Sequence, residues 1–337
     1  MVHTDTVHGF CKMRRAMLGA LAGVVLAIAA APAMAVDPAT AGPLKVVASF
    51  SILGDMVREI GGEYVALTTL VGPNGDVHSF EPSPRDAKAL SGADVLVLNG
   101  LGFESWLPGL LRSSGFGGRQ ILASKGAAIR HLSADEVPGD GHGHDHGHGD
   151  RHDDGGHQHE IGDIDPHAWQ DLRNGMIYAQ NIADGLSLAD PAHSAYYKMR
   201  AKLYIEKMTK LDAEIRTALA GIPEDRRVVI TSHDAFGYFA QAYGIRFIAV
   251  AGLSSEAEPS ARELAAIVDR TKKEHVAGVF TEHGTSSKLI RQLARETGIK
   301  LGGVLYADTL AKADAPAASY LGMFSWNAGR LIYVLTH

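Results

Sequence analysis

A single cysteine, Cys11, stands in 337 residues. It precedes an apolar N-terminal run, whereas a lipid-attachment cysteine would follow it, so lipidation is not expected. Once that run is removed no thiol remains. Disulfides and cysteine-held zinc sites are then excluded, and any metal must be bound by nitrogen and oxygen. A basic excess is also missing: net charge is -6, with 32 Lys+Arg against 38 Asp+Glu, which argues against a nucleic-acid footprint. What the chain does have is apolar material, 46% of its residues, enough for one large core or two ordinary ones.

Residues 1–35 have the order of an export signal. Lys12, Arg14 and Arg15 precede the run AMLGALAGVVLAIAAAP, and Ala33 to Ala35 (AMA) supply a small-x-small cleavage pattern. Cleavage, an exported mature chain and no retained membrane span are the expectation.

The mature chain alternates strand and helix patterns. LKVVASF, VALTTLV and DVLVLNG read as strands, separated by the helical segments ILGDMVREIGG and SPRDAKALSGA and followed by ESWLPGLLRSS. After residue 220 the same grammar returns: VVITS, IRFIAVAG, VAGVFTE and LGGVLYA alternate with helices, and PAASYLGMFSWNAGRLIYVLTH closes the chain. Between the halves, Asp190-Pro191 opens a long helical pattern with Tyr204, Met208, Leu211, Ile215 and Ala218 on one face. The expected fold is therefore α/β. Two lobes (36–187 and 221–337), each a mostly parallel sheet flanked by helices, are joined by one long rigid helix within 188–220.

One stretch interrupts this pattern. Residues 141–160, GHGHDHGHGDRHDDGGHQHE, carry His142, His144, His146, His148, His152, His157 and His159 among glycines and acids. The composition cannot build a core, so a surface loop is expected. Its donors have no scaffold and its glycines are entropically costly to order, so it should bind metal weakly and in many geometries.

Four other segments carry isolated donors: His78 in GPNGDVHSFEPSP, His167 in DPHAW, His233 in VITSHDAFGYF and Asp308 in VLYADTL. Three of the four fall just past strands, at the carboxyl edge where open α/β sheets bind ligands. Three imidazoles and a carboxylate suit a divalent ion such as Zn²⁺. Taken singly, each histidine reads more readily as a hydrogen-bonded core residue than as a ligand, and no local spacing matches a zinc motif such as HExxH. The tract makes metal the common subject.

Taken together, HSFEPSP, ADVLVLNGLGFESWL, DPHAWQD, TSHDAFGYFAQAYG and YLGMFSWN resemble the ZnuA/TroA-like family in order and spacing, from about Pro43 to Leu335. These are periplasmic and surface metal-binding proteins that serve ABC transporters for zinc or manganese. The resemblance implies two lobes with the ion between them, no bond chemistry, and delivery to the membrane permease of a zinc ABC transporter by a monomeric periplasmic protein. His78, His167 and His233 match the family's three imidazole ligands, and Asp308 matches its late acidic residue. Histidine at 233, where many manganese members have glutamate, favours Zn²⁺ and makes Mn²⁺ the less expected cargo. One tight zinc site in the cleft and weaker sites in the tract follow.

The pair Glu282-His283 departs from the family, which tends to lack the histidine. Glu282 is expected behind the ligands, orienting an imidazole through its other nitrogen. His283 is expected to start a helix or bond within the cleft, the alternative being direct contact with the ion. The rival functions are a manganese transport protein, a zinc buffer or chaperone, an adhesin, and a zinc-dependent hydrolase with Glu282 as base.

Overall fold

LKVVASF (Leu44–Phe50) forms β1, whose last five residues are all buried. A strand covered on both faces has to be apolar at successive positions, and that is what places it inside a parallel sheet. The computed structural model describes residues 42–132, 163–253, 261–284 and 286–337. Residues 1–35 and the tract 141–160 lie outside the described residues. Among the described residues no helix is long and apolar enough to cross a membrane.

The first sheet has the order β2 (Val65–Val71), β1, β3 (Val95–Leu98), β4 (Arg119–Leu122), all parallel. The second repeats it with β6 (Arg246–Ala249), β5 (Val228–Thr231), β7 (Gly278–Glu282) and β8 (Leu301–Leu305), again all parallel. Parallel neighbours require crossovers, and the helices supply them. In the first lobe these are α1 (Ser51–Gly61), α2 (Pro84–Ser91) and α3 (Leu107–Ser114), followed by α4 (Leu172–Ala189). The second has α6 (Gly237–Tyr243), α7 (Ala261–Lys273), α8 (Lys288–Thr297) and α9 (Tyr320–Thr336). The two lobes and their joining helix thus have the expected architecture. Ser83 caps α2: Asp86 accepts from its backbone N–H at 2.8 Å and its hydroxyl at 2.7 Å.

The joining helix α5 (Ser194–Ala220) runs 27 residues, about 40 Å at 1.5 Å per residue. It starts later than the Asp190-Pro191 signal implies, because Pro191–His193 forms a separate 3₁₀ turn. Asp190 instead ends α4, its N–H donating to Leu186, and its carboxylate takes His193 Nδ1 and the Tyr197 hydroxyl, each at 2.7 Å. Tyr204, Met208 and Ile215 face inward as expected. Ala218 does not; Leu219 takes the buried position.

The lobes share a core. One apolar cluster runs from Val46, Phe50 and Trp169 through Tyr204 and Met208 on α5 to Phe239, Tyr320 and Phe324. Each lobe adds a smaller cluster on its far face, around Leu96 and Leu110 in the first and Ile230 and Ile290 in the second. Hydrogen bonds cross the same seam. Trp169 Nε1 and Gln170 Nε2 donate to the Ala307 carbonyl at 2.9 and 2.7 Å, and the Tyr320 hydroxyl donates to Trp169 O at 2.6 Å. Gly175 on α4 lies directly against the Tyr320 hydroxyl, so any side chain there would collide with the seam.

Candidate metal site

Each site residue stands beside the end or the start of an element. His78 follows β2 across the turn 72–77, and His233 follows β5 by two residues. Asp308 lies three residues past β8. His167 precedes the 3₁₀ turn Ala168–Gln170 that leads into α4. His78, His233 and Asp308 thus hold carboxyl-edge positions from both sheets, and the shared core brings His167 against them.

The four converge. Their donor atoms lie within 4.8 Å of one another, and the three imidazole rings are 5.7–5.8 Å apart by centroid. Asp308 stands among them: Oδ2 lies 3.0 Å from His233 Nε2 and 3.3 Å from His78 Nε2, while Oδ1 lies 3.6 Å from His167 Nε2. His167 and His233 are fully buried, and the His78 side chain is 12% exposed, so the pocket opens on the His78 side. Phe103 and Trp169 pack their edges on His167 at 5.9 and 5.3 Å, supplying apolar walls.

Buried carboxylates fix the rings from behind. His167 Nδ1 faces Asp165 Oδ1 at 2.8 Å, and the same oxygen accepts the His167 backbone N–H at 3.0 Å. Asp165 in turn accepts from Arg130 Nη1 at 2.8 Å. Glu282 pairs with His233 Nδ1, and its other oxygen accepts the N–H groups of Ser232 and His233 at 2.7 and 3.1 Å. With Nδ1 occupied, Nε2 of each ring is the atom turned toward the cluster. Sequence reasoning anticipated Glu282 and missed Asp165; the acid two residues before a histidine in D-P-H was the available signal. A further layer holds the loop above His167. Glu104 accepts from Ser49, Asn99 and Gly100, and Asn99 donates to the Pro166 carbonyl at 3.0 Å.

The electrostatics are those of a site built around charge. Burial works against the charged form of His233, but the Glu282 and Asp308 carboxylates outweigh it and hold its pKa well above the ordinary histidine value. Burial likewise opposes ionised Asp308, yet His233 and His167 draw it well below the carboxylate range. Asp165 is lowered despite its burial by its bond to His167, and Asp234 is pushed by burial to about 6. Three buried atoms, His78 Nε2, His167 Nε2 and Asp308 Oδ1, make no hydrogen bond. Buried polar atoms left so in one place mark where a ligand belongs.

His283 is not in the cluster. Its Nε2 bonds to Asn74 Oδ1 and its ring lies 4.7 Å from Tyr306, with burial lowering its pKa. The seven tract histidines lie outside the described residues. The ends of their segment, however, are tied together: His131 and Ile164 form an antiparallel bridge, with Leu132 N–H on Asp163 at 2.9 Å and Asp165 N–H on Arg130 at 3.0 Å.

Residues 46–333 match the family model described as zinc-uptake complex component A, periplasmic. The chain belongs to this family. It is 28% identical over 294 residues to the manganese ABC transporter substrate-binding lipoprotein PsaA of Streptococcus pneumoniae, covering 86% of this chain and 87% of that one. A Mn-bound periplasmic metal binding protein from candidatus liberibacter asiaticus superposes with a TM-score of 0.72 at 26% identity, covering 87% of this chain and 99% of that one. The periplasmic zinc binding protein TroA from Treponema pallidum shares the fold, with a TM-score of 0.75 at 24% identity over the same shares. The family member is thus a periplasmic, non-catalytic metal-binding protein of an ABC transport system; the hydrolase reading is set aside. The expectation that manganese is the less favoured ion is overturned, since the liberibacter protein was captured with Mn and also with Cd. The physical reason is that His233 does not decide the ion. Selection among divalent ions rests on geometry and metal supply rather than on raw affinity, and the Asp308 carboxylate is a ligand type that manganese takes.

Proposed function

We propose that His78, His167, His233 and Asp308 hold one divalent transition-metal ion as cargo, with Mn²⁺ at least as good a candidate as Zn²⁺, and that the loaded protein delivers it to a membrane permease. One observation carries the reading: donor atoms from both lobes meet within 4.8 Å, and three of them are buried without a hydrogen bond. An ion at their centre would satisfy all three at once. Asp165 and Glu282 serve this reading by fixing which ring nitrogen is offered. His233 has to give up its ligand-side proton on loading, so affinity falls as pH falls. The tract 141–160 supplies weaker, accessory sites.

Calorimetric titration of the mature chain with Mn²⁺ and with Zn²⁺ tests this. Both ions are expected to compete for a single tight site that survives deletion of 141–160. His233→Ala and Asp308→Ala should each weaken it by at least about tenfold, as loss of a supporting group already does. Tight binding unchanged in either alanine variant would refute the ligand set.

A further inference from the structure

His78 sits on a surface turn, and something has to hold that turn against the second lobe. Within the first lobe it is fixed at its base: Gly75 N–H donates to Gly72 O at 3.0 Å, and Trp106 Nε1 donates to Val77 O at 3.2 Å. At its tip, Asn74 adopts the left-handed conformation with φ of 65°, which asparagine tolerates better than most residues. That conformation presents both its N–H and its side chain to the other lobe. The N–H donates to Leu310 O at 3.1 Å, and the side-chain oxygen takes His283 Nε2.

Those two partners frame the second-lobe part of the site. His283 directly follows Glu282, its N–H continues the β7–β8 ladder onto Leu305 O at 2.8 Å, and its ring rests on Tyr306. Leu310 is two residues past Asp308, and its N–H is held by Ser51 Oγ at 3.0 Å. Asn74 is thereby pinned at two points to the segments that carry Asp308 and Glu282. His78, four residues on, is the ligand at the open side of the pocket. Its departure from the cluster is the shortest route by which an ion could be uncovered, and the tip contact opposes it.

We infer that His283 is a positioning residue that clasps Asn74 across the lobes, holding the turn of His78 closed and setting the rate at which a bound ion escapes. The inference rests on the ligand reading above and adds a role for a side chain that touches no ion.

The test uses Zn²⁺ as probe, released to a coloured chelator in stopped flow, with stoichiometry measured alongside. His283→Phe keeps a ring against Tyr306 but has no N–H. Asn74→Gly keeps the left-handed backbone but has no side chain. Each is expected to bind one ion and to release it about fivefold faster, the scale of one hydrogen bond. The double variant should be no faster than the faster single, because both remove the same bond. The clasp is overturned if neither single variant changes release, if the two effects multiply, or if only His283→Phe speeds it, which would make the ring a ligand. His78→Ala separates the two readings. If it abolishes the tight event while the clasp variants release at the parental rate, only the clasp falls. If it binds as the parent does, the ligand set fails and takes the clasp with it.

Discussion

An imidazole serves a metal only if its ring is held and its tautomer chosen. In this protein two buried carboxylates do that, Asp165 at Nδ1 of His167 and Glu282 at Nδ1 of His233. Replacing either by its amide keeps size and an acceptor oxygen but removes the charge that makes the ring a better donor. Asp165→Asn and Glu282→Gln are therefore expected to lose about ten- to a hundredfold in Mn²⁺ affinity, measured by calorimetry, with an unchanged far-ultraviolet circular dichroism spectrum. Full parental affinity in both amides would show that the carboxylates only fill space. His78, His233 and Asp308 were legible because strand ends are readable from hydrophobic runs and chemistry-bearing residues at strand ends are few, whereas His167 follows no strand and the four were joined into one ligand set only by the family resemblance. Asp165 was not legible, since its importance is a matter of where it points, onto Nδ1 of His167 in the buried interior. Nor was the tie between His283 and Asn74, which are 209 residues apart in the chain and adjacent only in the folded state.

At the level of elements, segments with an apolar run announced themselves even when short, and β4 did not. β4 (Arg119–Leu122) buries only Ile121 of its four residues, so no run of apolar residues marks it. Asp190-Pro191 is a sound helix-start signal, yet the local 3₁₀ turn and the bonds from Asp190 to His193 and Tyr197 delay the helix to Ser194. The contact between α1 and α9 has a consequence for pH. Asp55 on α1 accepts the Tyr320 N–H at the start of α9 at 2.8 Å. Burial pushes its pKa from 3.8 to about 6, against the pull of that N–H and of Arg58. The Arg58 side chain is 64% exposed, so it gives little support. Because the folded state holds this proton more tightly than the unfolded chain, stability is lost as pH rises from 3.8 to about 6. Asparagine would keep the oxygen for Tyr320 and carry no charge. Metal-free Asp55→Asn should exceed the parent at pH 8 by up to about 3 kcal/mol in urea unfolding, the advantage shrinking toward pH 4. An advantage equal at both pH values would remove burial of the charge as its cause.

For the whole molecule the shared core decides how the lobes can move. A protein whose ligands come from two halves suggests a hinge, but the halves here are not separately cored. Trp169 belongs to the first lobe and spends its indole N–H on Ala307 of the second, while Tyr320 of the second returns its hydroxyl to Trp169. Phe50, Tyr204, Met208 and Phe324 lie in the same apolar cluster. Opening the lobes widely would expose that cluster and strip partners from buried groups, so the economical motion is a local one at the open side of the site, near His78. Two results follow. Metal-free protein should unfold in urea as one transition, with tryptophan fluorescence and circular dichroism coincident, because neither lobe keeps a complete core without the other. Small-angle scattering should give radii of gyration that differ by less than about 1 Å between metal-free and Mn²⁺-loaded protein, the scale of pre-organised binding. Separate transitions for the two signals, or a larger contraction on loading, would mean that the seam around Trp169 and Tyr320 parts in solution and that capture works by closure of the lobes.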